Sequence, residues 1–271
     1  MQGNELIEVD TNVRLHIRDW GQGKTIVFIP GWPLSLEMYE YQFTQLPKHG
    51  YRCVGITLRG FGKSSKPWGE YTYDVFADDV RKVLEALDLR DVTLAGFSMG
   101  GAIALHYMAR HKGERVSKLA LFGAAAPSFV KRHGFQYGLE SAAVNGFIEL
   151  CYADRAKLNE DFGKIFFRSE NAVSLKLGEW FHNMGMEASP HATAASLIAL
   201  RDTDLRGDMA KVNVPTMILH ATQDKICLFE LAEAMAAGIK GAKLIGFEKS
   251  GHALFYEEKE KFNKELANFV G

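Results

Sequence analysis

"VTLAGFSMGGAIALHYMAR", residues 92–110, places Ser98 between an apolar run and a helical run. The pattern G-x-S-x-G at a strand-to-helix turn holds its serine in a strained backbone conformation above a sheet. Gly96 and Gly100 leave room for that sharp turn. The helix that begins at Met99 directs its N–H groups and positive dipole end toward the serine, which favours negative charge on a reacting oxygen. We therefore predict that Ser98 is a nucleophile.

Strands and helices alternate on both sides of this turn. Short apolar runs predict central strands in "KTIVFIP", "YRCVGITL", "DVTLAGF", "RVSKLALFGA", "VPTMILH" and "AKLIGF". Helical patterns lie between them, including "SLEMYEYQFTQLPKHGY", which we expect to form a single helix closed by Gly50. The first segments, "ELIEV" and "VRLHIRD", alternate as in a hairpin. This order predicts an α/β fold with a mostly parallel central sheet flanked by helices.

The alternation breaks over residues 127–204, which have helical character and no convincing buried strand. It resumes afterwards and continues to an amphipathic tail. We therefore expect an α/β core made of residues 1–126 and 205–271, with a helical cap, residues 127–204, inserted between its two parts. An insertion at the carboxyl end of a strand lies over the face where α/β proteins bind their ligands.

The composition excludes several classes of protein. The 271 residues carry a formal net charge of −1 without a long basic run, so we expect no nucleic-acid partner. No apolar stretch is long enough to span a bilayer, and the polar N-terminus lacks a signal-peptide core. The cysteines Cys53, Cys151 and Cys227 are odd in number and far apart, which argues against disulfides and metal sites. We expect a soluble, cytoplasmic protein with free thiols that binds neither membrane nor metal.

A serine needs a base, and a base needs an orienting acid. Of nine histidines, His252 in "EKSGHALFYEE" follows the last strand and reaches the same sheet edge as Ser98, with His220 as the other histidine to test. Asp224 in "HATQDKICLFE" projects from that edge too. The order Ser98, Asp224, His252 is therefore predicted to be nucleophile, acid and base. Three rival acids precede the strand, and salt bridges or helix capping explain them better: Asp202, Asp204 and Asp208.

An oxyanion hole would complete such a site. One donor is expected to be the backbone N–H of Met99, directly after the serine. The loop "GWPLS" after the strand "TIVFIP" offers the second, and we predict the N–H of Trp32. Gly31 lets this loop approach closely, and Pro33 stiffens it without donating.

Seven motifs occur in order along nearly the whole chain: "GWPLS", "RGFGKSSKPW", "YDVFADDV", "GFSMGG", "DMAKVNVPT", "QDKI" and "GH". Together they resemble the bacterial aryl esterases and cofactor-free haloperoxidases (perhydrolases) of the α/β-hydrolase fold. The resemblance implies the triad and oxyanion hole named above, and ester hydrolysis through an acyl-enzyme without metal or organic cofactor. It also implies peracid formation as a side activity, associated with a proline such as Pro33, and a homo-oligomer, a dimer or larger, as an assembly to test.

Two positions depart from that family's pattern. Pro30 stands where the oxyanion loop usually has histidine, and Thr57 in "TLRGFGKS" stands where an aspartate is usual. We expect the first change to alter the support of the loop and substrate preference. The second should alter packing or stability rather than the chemistry.

By resemblance, the substrate pocket is expected to be lined by Trp32, Phe129, Phe162, Phe166 and Ile226. No cluster of Arg or Lys awaits a charged group, so small, neutral esters with short acyl or aryl groups are the expected substrates. The same residues also serve alternatives: a lactonase, a C–C hydrolase or a thioesterase. A receptor that keeps the triad and signals through its cap is the rival from another class, and negligible turnover would identify it.

Overall fold

The computed structural model describes residues 5–169 and 172–271, and within them eight strands form one sheet in the order β1-β2-β4-β3-β5-β6-β7-β8. The strands are β1 (Leu6–Asp10), β2 (Val13–Trp20), β3 (Lys24–Ile29), β4 (Tyr51–Ile56), β5 (Val92–Phe97), β6 (Val116–Phe122), β7 (Thr216–Ala221) and β8 (Lys243–Phe247). β1 and β2 form the predicted antiparallel hairpin, β2 also pairs antiparallel with β4, and every other pair is parallel. The mostly parallel α/β sheet expected from the sequence is confirmed.

The central strands are apolar at nearly every position because both faces of the sheet are covered. Every residue of β5 and of β7 is buried. The helices around the sheet are α1 (Glu40–Gln45), α2 (Tyr73–Ala86), α3 (Met99–Arg110), α8 (Phe229–Gly238), α9 (Leu254–Glu257) and α10 (Lys259–Val270). α2 packs against α3, α1 against α10, and α8 against β7. This covering explains why the sequence lacks the strict apolar–polar alternation of a half-exposed sheet.

The C-terminal helix α10 closes the sheet from one side. The ring of Phe262 packs edge-on against Phe122 of β6, with centroids 4.7 Å apart. The ammonium group of Lys118, also on β6, donates to the carbonyls of Phe269 and Val270 at 2.7 and 2.9 Å. Burial of the helix face and capping of its last carbonyls therefore attach α10 to β6.

The prediction of a single helix between β3 and β4 is wrong. The segment forms a 3₁₀ turn (Leu36–Tyr39), α1, and a second 3₁₀ turn (Leu46–His49). Pro47 lies at the start of the second turn, where it can donate no hydrogen bond to continue the helix. Gly50 ends the segment in the left-handed region, at φ 84°, as its predicted role requires.

Between β6 and β7 the described residues contain helices and no named strand. They are α4 (Ser141–Ala153), α5 (Arg155–Phe166), α6 (Leu175–Met186) and α7 (Pro190–Asp202). α5, α6 and α7 are each preceded by a side chain that accepts a hydrogen bond from a backbone N–H of the first turn. These capping side chains belong to Asp154, Ser174 and Ser189, respectively. We propose that residues 127–204 act as one cap over the core. In the described part of the chain no helix is long and apolar enough to cross a membrane.

Candidate active site

Ser98 lies on a strained turn between β5 and α3. Its backbone adopts φ 53° and ψ −119°, a region that non-glycine residues rarely enter. A Cβ on Gly96 would lie 2.2 Å from the carbonyl oxygen of Gly100, and one on Gly100 would lie 2.4 Å from the carbonyl oxygen of Ile29. Glycine is therefore required at both positions. The Ser98 N–H donates to the carbonyl of Phe122 at 2.9 Å, which holds the turn against β6.

Asp224 lies in the turn after β7 and uses both carboxylate oxygens. Oδ1 accepts the backbone N–H groups of Ile226 and Cys227 at 2.8 and 2.9 Å. Oδ2 lies 2.6 Å from Nδ1 of His252, and both side chains are fully buried. Two backbone donors fix the carboxylate, so it can hold the imidazole in one orientation.

His252 lies in the loop between β8 and α9, with its ring enclosed by apolar groups. The Phe97 ring lies 4.6 Å from it, centroid to centroid, and the Phe166 ring packs edge-on at 5.5 Å. Its Nε2 is buried and has no hydrogen-bond partner among the described residues, so it is not bonded to the Oγ of Ser98. Ser98 is itself buried, with 7% of its surface exposed. Such a contact commonly tightens only when substrate binds. An imidazole with Nδ1 bound to a carboxylate and Nε2 unpaired is arranged to accept a proton.

Gly123, at the carboxyl end of β6, is a part of the site that sequence reasoning missed. A Cβ there would lie 3.4 Å from His252 Nδ1 and 3.5 Å from Asp224 Oδ2, and its φ is +46°. A side chain at this position would be strained by the positive φ, and its Cβ would lie in van der Waals contact with the acid–base pair. The available signal was a glycine directly after a buried strand, in "LFGAAA".

His220, the other histidine to test, lies next to the Asp224 carboxylate. Its Nε2 donates to the carbonyl of Cys227 at 2.7 Å and lies 3.5 Å from Asp224 Oδ2. Complete burial lowers the pKa of His220, so the ring is neutral. Since Nε2 is bonded to a backbone carbonyl, this histidine is poorly placed to take a proton from a serine.

The rival carboxylates have partners of their own. Asp202 pairs with Arg201 and Asp204 with Arg206, each at 2.7 Å, as their interpretation as salt bridges required. Asp208 lies 2.7 Å from Nδ1 of His106 and 3.2 Å from the ammonium group of Lys211. None of these three approaches His252 within the described hydrogen bonds.

Two backbone N–H groups remain unused beside the serine. Among the described residues no backbone carbonyl accepts the N–H of Trp32 or of Met99. Gly31 brings the Trp32 loop close, because a Cβ at this position would lie only 2.8 Å from the Cβ of Ser98. The Trp32 side chain donates through Nε1 to the carbonyl of Thr193 in α7 at 3.0 Å, which ties the loop to the cap.

The two departures from the family pattern are both built into the core. Thr57 Oγ1 accepts the backbone N–H of Leu36 at 3.1 Å, and the Thr57 carbonyl accepts the hydroxyl of Ser64 at 2.7 Å. At this position the Thr57 hydroxyl, in place of the usual carboxylate, thus accepts the N–H of Leu36. The carbonyl of Pro30 lies against Gly100, where a Cβ would approach it to 2.5 Å.

A cavity of about 690 Å³ lies between α5, α6 and the loop after β3. Phe162 and Phe166 line it, whereas Ser98, Asp224 and His252 do not. Phe162 packs edge-on against Trp32 at 5.3 Å, so a ring of the cavity lining touches the Trp32 loop. Phe129 and Ile226, the other expected pocket residues, are buried outside the cavity lining.

The three cysteines are buried and are poor nucleophiles. Burial raises the pKa of the Cys53 thiol to about 12 and that of Cys151 to about 11. Burial and then the Asp224 carboxylate raise the pKa of Cys227 well above its ordinary value, so it stays a neutral thiol beside the acid. In the part of the chain that the structure describes, no three His, Cys, Asp or Glu side chains are grouped to hold a metal ion.

A mostly parallel sheet, an elbow serine after β5 and a helical insertion after β6 define an α/β hydrolase. The family model of the alpha/beta hydrolase fold matches residues 24–259, and the chain belongs to that family.

The chain is similar to AB hydrolase superfamily protein YisY of Bacillus subtilis, with 50% identity over 97% of each chain. It is 30% identical to the bifunctional esterase/perhydrolase DCH of Acinetobacter calcoaceticus, over 95% of this chain and 96% of that one. A solved esterase from Exiguobacterium antarcticum superimposes with a TM-score of 0.93 at 44% identity, over 95% of this chain and 96% of the other. These relatives confirm the resemblance to esterases and perhydrolases that the motifs indicated.

Proposed function

We propose that this protein is a serine carboxylesterase that hydrolyses small, neutral esters through an acyl-enzyme. One observation carries the proposal: the strained Ser98 occurs together with a buried histidine whose Nδ1 is held by a carboxylate and whose Nε2 is unpaired. That combination serves proton transfer from a hydroxyl rather than ligand recognition alone. The esterase and the esterase/perhydrolase among the relatives support the same reaction class.

The proposed cycle begins when the Ser98 hydroxyl attacks the ester carbonyl and His252 Nε2 takes its proton. The carbonyl oxygen becomes an oxyanion and accepts the unused N–H groups of Trp32 and Met99. The imidazolium, stabilised by Asp224, then protonates the leaving alcohol. A water molecule, deprotonated by the same imidazole, attacks the acyl-serine and releases the carboxylic acid.

The surroundings of the serine favour a neutral, apolar substrate. Phe97 and Phe166 enclose the imidazole, and Phe162 packs on Trp32 beside the proposed oxyanion hole. We propose that Phe162 and Phe166 form an apolar wall against which the acyl or aryl group rests, with longer substituents extending past the two rings into the cavity that they line. Phe129 and Ile226, which lie outside this cavity lining, remain proposed lining residues.

Perhydrolysis is the proposed side activity. In the second half of the cycle, hydrogen peroxide would attack the acyl-serine in place of water. The acyl group would then leave Ser98 as a peracid. Support comes from the relative that is named a bifunctional esterase/perhydrolase. The reaction uses the same residues and requires no electron transfer, because the oxygen–oxygen bond of peroxide stays intact.

The test is steady-state hydrolysis of p-nitrophenyl esters of increasing acyl length by the wild type and Ser98→Ala. We expect the acetate to be turned over and activity to vanish in Ser98→Ala, with the peracid product appearing when acetic acid and peroxide are supplied. Ser117→Ala is the matched control, because this serine lies near the start of β6, away from the carboxyl edge. A folded wild type that turns over no ester would refute the esterase. Turnover of lactones or of C–C substrates alone would favour those hydrolases, and binding without turnover a receptor.

A further inference from the structure

The carboxylate of Glu257 joins two backbone segments that are distant in sequence. Glu257 ends the short helix α9, a few residues after His252. Its Oε1 accepts the N–H of Arg168 at 2.9 Å, and its Oε2 accepts the N–H of Gly251 at 2.8 Å. Arg168 follows the cap helix α5, whereas Gly251 directly precedes His252. One side chain thus connects the cap to the loop of the candidate base.

The two segments touch without any side chain between them. A Cβ on Gly251 would lie 2.6 Å from the backbone nitrogen of Arg168 and 2.7 Å from the carbonyl carbon of Phe167. On the other side of His252, the N–H of Ala253 donates to the carbonyl of Phe166 at 3.1 Å. Both chain neighbours of the histidine are therefore attached to the cap segment that ends α5 and continues to Arg168.

This attachment also fixes the apolar wall. The Phe166 ring belongs to the attached segment and packs edge-on against the His252 ring. A shift of the segment would therefore move the wall and loosen the histidine at the same time. Misplacement of a reacting group by even a fraction of its working distance is costly for proton transfer.

We infer that Glu257 is a positioning residue that clamps the cap to the His252 loop and so sets both the orientation of the base and the width of the acyl site. The inference rests on the proposed function. Glu257 touches neither Ser98 nor the expected position of the substrate, so its effect passes through Gly251 and Phe166.

The next residue provides a matched control. Glu258 Oε2 accepts the N–H of Lys249 at 3.0 Å and the hydroxyl of Ser250 at 2.7 Å. It thus supports the same loop, yet its hydrogen bonds reach no residue of the cap among those described. Glu257→Gln offers a single acceptor oxygen to two N–H donors and turns its NH₂ toward one of them. Glu258→Gln keeps one oxygen for both of its donors, which lie on adjacent residues.

The experiment compares the wild type, Glu257→Gln, Glu257→Asp and Glu258→Gln. The shorter aspartate cannot span both donors and serves as the second variant should the glutamine variant fold poorly. Three quantities are measured: the rate at which a fluorophosphonate labels Ser98, the ratio of kcat/KM for p-nitrophenyl octanoate to that for the acetate, and amide hydrogen exchange in peptides covering residues 160–169 and 247–253.

For the Glu257 variants we expect labelling to slow about tenfold, the octanoate-to-acetate ratio to change several-fold, and exchange to accelerate in both peptides. Glu258→Gln should stay within about twofold of the wild type in labelling and leave the ratio unchanged. Equal effects of the Glu257 and Glu258 variants, or unchanged exchange in Glu257→Gln, would overturn the clamp. A wild type without ester turnover would instead count against the proposed function, and exchange would still decide the clamp.

Discussion

Replacing Asp224 by asparagine tests the proposed acid–base pair most directly. Its Oδ1 accepts two backbone N–H groups, from Ile226 and Cys227, while Oδ2 holds Nδ1 of His252. The amide oxygen of an asparagine will stay with the two N–H groups, because an NH₂ there would oppose two donors. The NH₂ must then face Nδ1 and donate to it. His252 is thereby forced into the tautomer that carries its proton on Nε2 and cannot accept one from Ser98.

The structure also sets the expected magnitude. A base in the wrong tautomer costs about 10⁴-fold in kcat/KM, or about 5.5 kcal/mol of transition-state stabilisation. The fold should lose far less, about 1–2 kcal/mol, because the two backbone bonds survive and only a charge-assisted bond is exchanged for a neutral one. For a chain of this length such a loss lowers the melting temperature by several degrees. Activity and stability are therefore expected to separate.

The assay is hydrolysis of p-nitrophenyl acetate at neutral pH, with thermal unfolding followed on the same samples. Asp208→Asn is the matched control, since Asp208 lies 2.7 Å from Nδ1 of His106 in a pair of the same kind outside the site. It should destabilise the protein and leave kcat/KM within about twofold of the wild type. A folded Asp224→Asn protein that keeps more than about a tenth of wild-type activity would refute the role assigned to Asp224.

Two further variants address the serine loop and the pH dependence of stability. Gly31→Ala places a Cβ 2.8 Å from that of Ser98 and must push the Trp32 loop away, so kcat should fall about 100-fold. The control Gly146→Ala adds a Cβ that meets nothing within 4 Å and should leave kcat unchanged. Equal kcat values for the two variants would contradict this reasoning. Burial lowers the pKa of His220 below 6.5, so the unfolded chain takes up a proton first and the free energy of unfolding falls on acidification below that pH. His220→Gln can still donate to the Cys227 carbonyl but cannot take up this proton. It should reduce the dependence of the unfolding free energy on pH by up to about 1.4 kcal/mol per pH unit, measured by urea titrations at several pH values. An unchanged pH dependence would count against a neutral His220.

The sheet could be predicted from the sequence because burial leaves a direct mark on composition. Strands such as β5 and β7 are covered on both faces, so their residues form continuous apolar runs. The elbow was equally readable, since the φ of Ser98 and the contacts around Gly96 and Gly100 admit few other residues. Asp224 and His252 could be chosen because the carboxyl ends of parallel strands share one edge.

Side-chain partners in the cap and the C-terminal loop were not predictable in this way. The cap holds many aromatic residues of similar character, and only packing brings Phe166 onto His252 while Phe129 lies elsewhere. Likewise, nothing in "FYEEKE" distinguishes Glu257 from Glu258. Glu257 is the last residue of α9, whereas Glu258 lies between α9 and α10 with a non-helical backbone, φ −123° and ψ 47°, so one carboxylate reaches the cap and the other the loop. Sequence patterns record burial and backbone strain, but not which of two equal groups meets a distant segment.

The attachment of α10 to β6 has a consequence for biosynthesis. The elbow segment leaves the ribosome before the turn that carries His252, which emerges only after the helices between β6 and β7, and after β7, α8 and β8. That turn is held against the core by α10, through Phe262 on β6 and the carbonyls that Lys118 binds. A nascent chain therefore contains Ser98 without its proposed base until the His252 turn has emerged and α10 has docked on β6. An unfinished or truncated chain would remain chemically silent even where its first half had already folded.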